Sequence, residues 1–201
     1  MKKTTAMYIA EEITTRIAKG LLHPGEHLVE TVLAEIFQTS RAPIREALLM
    51  LERDRLVQRV PHQGVVVRNF TRNEIHEIYE VVYRLEEFAM EKAVATTEHI
   101  DLAQLDEVLE EQRQAVSAGD VFAYYELNEK FHNTLFAIAR NRVLRETYQS
   151  LLRSIRPFRM LSLGQGNNLE QSFLEHQNQV EALRTRDVGE GKRAIQAQET
   201  R

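Results

Sequence analysis

Two arginines set four residues apart, Arg41 and Arg45, carry the most specific chemistry in this chain of 201 residues. They fall within Ser40-Arg41-Ala42-Pro43-Ile44-Arg45-Glu46-Ala47-Leu48, and a spacing of four puts both guanidinium groups on one helical face. A guanidinium can donate two bonds to guanine O6 and N7, so the pair suits a reader of the DNA major groove. Taken alone, the pair reads better as solvated arginines on an ordinary surface helix. A second group is His62-Gln63-Gly64, where the glycine lets backbone approach a phosphate chain closely. By residue type alone a plain exposed turn is the better reading. The third group is Asn128 and His132, again four apart, with His176 further along. Histidines projecting inward from separate helices can hold a metal, whereas a lone half-buried histidine is more often a hydrogen-bonded core residue.

The elements that must position these groups can be read from periodicity. Ile9, Ile13 and Ile17 recur every four residues and predict an amphipathic helix from about 5 to 20, closed by Gly20 and a His23-Pro24-Gly25 turn. A short helix is expected at about 30–37, with Val32, Leu33, Ile36 and Phe37 as its apolar face. After the break Gln38-Thr39-Ser40, Ser40 is expected to cap a third helix through its hydroxyl, with Pro43 tolerated in the first turn. Ile44, Ala47, Leu48 and Leu51 form that helix's buried stripe. Leu56–Val60 and Val65–Arg68 are β-branched-rich runs across Pro61-His62-Gln63-Gly64, and read as a hairpin. Helix, helix, tight turn, helix and hairpin make a winged helix-turn-helix. In that setting the arginine pair stands at the leading end of the reading helix and His62 and Gly64 at the wing tip.

From Thr71 onward only helical periods remain. Thr71 with Glu74 forms a capping-box pattern opening a helix to about 96. Further helices are expected at 101–118, from Asp120, at 142–163 with a bend at Pro157, at 169–186, and from Asp187. The fold class is therefore mainly α: a winged helix-turn-helix over residues 1–70, then an antiparallel six-helix bundle over 71–201, with the junction at 69–71.

Composition bounds the function. The chain is 43% hydrophobic and 28% charged with no cysteine, which excludes a disulfide framework, thiolate ligands and a cysteine nucleophile. It has no apolar run of membrane-spanning length and no signal-peptide pattern, so a cytoplasmic protein without a membrane partner is expected. Residues 1–70 carry net +2 and residues 71–201 net −6, which suggests two modules with different partners.

Residues 5–70, above all Ser40–Leu48 with the Pro61-His62-Gln63-Gly64 tip, resemble the winged-helix domain of GntR-family bacterial transcription regulators. The helical remainder is similar to the ligand-binding (FCD-type) domain of the FadR subfamily. By that resemblance Ser40, Arg41 and Arg45 correspond to recognition-helix contacts and His62 and Gly64 to wing contacts. Thr31 falls where relatives often place a DNA-touching arginine. The resemblance also implies a divalent metal, zinc or nickel, held by Asn128, His132 and His176, with Gln198 where a further histidine is usual. An amide oxygen is a poorer donor to such a metal than imidazole. Val82 falls where many relatives carry an arginine beside the pocket.

The reading that unites these features is a homodimeric regulator binding double-stranded DNA at an inverted repeat, controlled by a small, acidic metabolite. The rival is a helical-bundle metalloenzyme acting on a small carboxylate, with Asn128, His132 and His176 as ligands and Glu129 or Glu175 as base. A helical scaffold with a protein-binding hairpin is the third. Neither rival explains the winged helix, and Glu129 and Glu175, adjacent to the histidines in sequence, are expected to point away from them.

Overall fold

The computed structural model describes residues 4–96 and 102–199. They divide into two compact units, one of residues up to 75 with 150–161, the other of 76–149 with 162 onward. In the first unit α1 spans Thr5–Ala18, α2 Glu30–Ile36 and α3 Arg41–Arg53, and the chain then enters β1 Val57–Val60 and β2 Gly64–Val67. Thr4 caps α1, its hydroxyl accepting from the Met7 N–H at 3.2 Å. Ile9 and Ile13 of α1 pack with Ile44, Ala47, Leu48 and Leu51 of α3 and with Val57, Val65 and Val67 of the hairpin. That stripe fixes the rotation of α3 about its axis and leaves Arg41 and Arg45 on the outside.

Two local expectations are corrected here. Ser40 is the N-cap of α3 with extended backbone, but its side chain makes no capping hydrogen bond. The apolar face of α2 is only partly inward: Leu33 is buried, whereas Val32 and Ile36 are each 50% exposed. A helix of seven residues completes barely two turns, so only one narrow stripe meets the core.

The hairpin is antiparallel, with Val57 opposite Val67 and Val60 opposite Gly64. Residues 25–28, whose sequence signals nothing beyond a turn, line the open side of β2. The Leu28 N–H donates to the Val65 carbonyl at 2.8 Å and the Val67 N–H to the Glu26 carbonyl at 2.9 Å. The wing is thus held from both sides. Residues 150–161 join this unit through Arg153, which donates to Asp54 at 2.8 Å, and Phe158, edge-on to Phe70 at 5.3 Å.

The later helices are α4 Arg72–Thr96, α5 Ala103–Ala118, α6 Val121–Ile138, α7 Arg142–Leu163, α8 Asn168–Thr185 and α9 Val188–Glu199. The expected start of α5 at 101 lies outside the described residues. Helix α7 runs through Pro157 as one helix. Short connections let consecutive helices lie antiparallel, and side-chain caps begin several of them: Asp120 accepts from the Ala123 N–H at 2.9 Å and Asn141 from the Leu144 N–H at 3.1 Å. Met90, Leu105, Phe131, Leu135, Val180, Leu183 and Ile195 form the core of this unit. Gly191 is required where α9 meets α4, because a Cβ there would stand 2.6 Å from Met90 Cγ.

The capping box at α4 forms as its spacing implies. The Thr71 N–H donates to Glu74 Oε2 at 2.9 Å and the Glu74 N–H to Thr71 Oγ1 at 3.1 Å. The hydrogen bond from the Thr71 backbone, then that from its hydroxyl, holds the Glu74 carboxyl below its ordinary pKa. Its contribution is therefore present above the usual carboxylate range and lost as pH falls through the lowered value. Thermal melts of Glu74→Ala against wild type are expected to show a lower Tm near neutral pH, with the gap closing as the pH falls below the usual carboxylate range.

Candidate functional site

The first candidate surface is built on the amino-terminal end of α3 and the hairpin tip. Arg41 and Arg45 are both exposed. Arg45 Nε donates to Glu30 Oε2 at 2.7 Å while its side chain stays 62% exposed. This ion pair ties the start of α3 to the start of α2 and restrains one guanidinium without burying it. An exposed pair of this kind is worth at most about 1 kcal/mol, so it can be exchanged for a phosphate or base edge at little cost. Thr31, next to Glu30, is half-buried.

At the hairpin tip His62 has φ +63° and Gly64 φ +83°. The left-handed conformation at Gly64 is the one glycine adopts without strain. His27 reaches across to the tip, with Nδ1 3.0 Å from the Gln63 carbonyl oxygen. Glu30 and His27 carry no signal in the sequence, because single residues that brace a neighbouring element leave no periodic mark.

The second candidate lies inside the helical unit. Asn128 and His132 on α6 and His176 on α8 are all buried. The rings of His132 and His176 meet edge to face with centroids 5.1 Å apart. Phe131 stacks on His176 at 3.9 Å. The structure thus brings His132 and His176 into contact and buries Asn128 one helical turn before His132 on α6.

It adds residues that were not singled out. Glu86 of α4 is 1% exposed, accepts from the Tyr148 hydroxyl at 2.7 Å, and has Oε1 3.3 Å from His132 Nδ1. Gln112 of α5 has Oε1 3.0 Å from His176 Nδ1. Gln179, on the buried side of α8 with His176, is fully buried with neither amide atom hydrogen-bonded. A signal for Glu86 was present: Val82, Glu86, Ala89, Met90 and Ala93 share the buried stripe of α4, and a carboxylate on such a stripe needs a partner.

Val82 is buried and Arg84 lies on the outside, paired with Glu87 at 2.7 Å. Gln198 is half-buried on α9; its carbonyl accepts from the Tyr83 hydroxyl at 3.2 Å and its Nε2 has no hydrogen-bond partner. Glu129 is partly exposed, whereas Glu175 is buried. Among the described residues no three His, Asp or Glu side chains gather as a metal-holding group. The donors at hand are two imidazoles and the Asn128 amide.

Removing the Tyr148 hydroxyl takes a donor from a buried carboxylate. Tyr148→Phe is expected to lower stability by about 1–3 kcal/mol, read as a shift of the urea unfolding midpoint at unchanged slope.

Comparison with known proteins agrees with this architecture. Residues 5–67 match the model of bacterial regulatory proteins of the gntR family, and residues 77–198 match the FCD domain. The chain is 29% identical to the HTH-type transcriptional regulator YdhC of Bacillus subtilis, covering 98% of this chain and 89% of that one. It is 27% identical to the gluconate operon transcriptional repressor of the same organism, over 92% and 78% of the two chains. The solved structure of McbR/YncC from Escherichia coli superposes with a TM-score of 0.80 at 24% identity, covering 99% of this chain and 95% of that one. No helix among the described residues is long and apolar enough to cross a membrane. These relatives are transcriptional regulators, not enzymes, which removes the metalloenzyme alternative. A winged helix-turn-helix joined to an all-helical FCD domain thus makes this chain a member of the GntR family of bacterial transcriptional regulators, of the FadR-like kind.

Proposed function

We propose that the chain is a cytoplasmic, homodimeric repressor that reads an inverted-repeat operator with α3 and releases or tightens it when a small carboxylate metabolite binds the helical domain. The observation that carries this reading is the exposed Arg41–Arg45 pair at the leading end of α3, backed by a rigid apolar stripe. In this reading Arg41 and Arg45 contact base edges, Ser40 and Thr31 contact phosphates, and His62 and Gly64 run along the adjacent minor groove. A two-fold dimer presents two such helices to two half-sites. Repression is supported by the similar gluconate operon regulator, which is a transcriptional repressor.

On the sensing side, Asn128, His132 and His176 hold a divalent zinc or nickel, with Gln198 a doubtful fourth. The two imidazoles supply the nitrogen donors such an ion prefers and the amide a weaker oxygen donor, leaving positions for water or the effector. No Lys or Arg is found among the described buried residues, and Glu86 is already there. Bound metal would supply the positive charge that an effector carboxylate needs in this pocket. Binding then shifts the populations of bundle arrangements and, by linkage, the operator affinity.

Arg41→Ala and Arg45→Ala are each expected to weaken operator binding by about 1–3 kcal/mol with folding intact, measured by fluorescence anisotropy on fragments recovered by genomic selection. Wild-type affinity in both variants would mean that α3 is not the reader. Elemental analysis of protein purified without chelator is expected to find about one divalent metal per chain, lost in His132→Ala and His176→Ala. Its absence from wild type would remove the metal from the reading.

A further inference from the structure

We infer that Gln179, backed by Gln112, is a specificity-determining residue of the helical domain: its amide reads an uncharged effector group that both donates and accepts a hydrogen bond, as a hydroxyl or a carboxamide does. This rests on the effector site proposed above and adds a second feature of the ligand beside its carboxylate.

Helix α8 turns a polar row inward. Residues spaced i, i+3, i+4 and i+7 form the stripe that a packed helix ordinarily fills with apolar side chains. On α8 that row is Ser172, Glu175, His176 and Gln179, none more than 7% exposed. Gln179 lies one turn beyond His176, so the two side chains share a face. Helix α5 packs on α8 and brings Gln112 to His176, with Oε1 3.0 Å from Nδ1.

The hydrogen-bonding capacity of these two amides is not used up. Gln179 is 0% exposed, and neither its Oε1 nor its Nε2 has a partner among the described residues. With both ends open, exchanging O and N in this amide changes nothing. Gln112 is also 0% exposed; one end of its amide faces His176, and Nε2 at the other end has no partner. A buried amide without partners destabilises the fold, whereas methionine fills a core gap of this length with no polar group to satisfy. A polar residue that weakens the core it sits in belongs to binding and not to folding.

What the amides leave open selects the ligand group. They offer donors at two Nε2 groups and an acceptor at Gln179 Oε1. A carboxylate only accepts and would leave Oε1 unpaired, while an ammonium only donates and would meet the Nε2 hydrogens. A hydroxyl or a carboxamide does both. Neither glutamine carries charge, so this part of the site suits a neutral group and leaves the carboxylate to be held elsewhere.

Two measurements on the full chain test this. In urea, without ligand, Gln179→Met is expected to unfold at a higher midpoint than wild type with unchanged slope. An unchanged or lowered midpoint means that the amide is already satisfied within the unliganded protein, and overturns the inference. Calorimetric titration then uses linear mono- and dicarboxylates of graded length in matched sets: parent acid, hydroxyl-bearing acid and amide-bearing acid. Wild type is expected to bind a hydroxyl- or amide-bearing member about 10–100-fold more tightly than its parent, and the sets show which of the two groups it reads. Gln179→Met is expected to lose that preference while keeping the affinity for the parent. A wild type without the preference, or a preference unaltered in Gln179→Met, overturns the inference. If wild type binds no member of the panel while Gln179→Met still unfolds at higher urea, the carboxylate effector falls and Gln179 stands as a recognition residue.

Discussion

The helical domain depends on one constraint: polar and ionisable groups buried among apolar side chains must find partners inside the protein. Stripping a carboxylate or an amide of water costs several kcal/mol unless hydrogen bonds replace it. Glu86 meets that demand through the Tyr148 hydroxyl, with His132 Nδ1 3.3 Å from the same oxygen, and His176 meets it through Gln112. A core of leucine and isoleucine alone would cost less to build. The bonds that make these groups tolerable also join helices: Tyr148 to Glu86 links α7 to α4, and His176 to Gln112 links α8 to α5. Gln179 goes further, with an amide left unsatisfied by protein neighbours on the helix that carries His176.

The DNA-reading unit solves the opposite problem. Its functional groups must stay in water yet hold a defined direction. Ile44, Ala47, Leu48 and Leu51 anchor one side of α3 in the core, and that anchoring aims the other side. Glu30 then restrains the Arg45 guanidinium by an exposed ion pair, weak enough to give way to a phosphate. At the wing, main-chain bonds from residues 25–28 and the His27–Gln63 link brace a hairpin too short to be stable by itself.

Much of the fold was legible because its signals are local or periodic. The α3 stripe, the Thr71–Glu74 capping box and the β-branched runs across Pro61–Gly64 each state their element within a few residues. The misreadings were also local. Val32 and Ile36 looked like core because apolar residue type was taken for burial, yet a two-turn helix has only one inward line, and Leu33 occupies it. Ser40 has the right residue type and place for a capping bond, but its hydroxyl makes none. In the sensing site Asn128, His132 and His176 could be singled out from spacing and family likeness. Gln112 could not, since a glutamine on a buried stripe looks the same whether it faces a histidine or the edge of the core.

By itself the sequence determined the order of elements, the helix that carries the paired arginines, and the identity of the histidines, since all of these are written in residue type and short-range period. Only the tertiary structure decided which side chain from another helix stands against each histidine, and that Glu30 holds Arg45. Those partners lie from 15 to 64 residues away along the chain. Contacts of that kind are chosen by packing, and packing is a property of the assembled helices, not of any one segment.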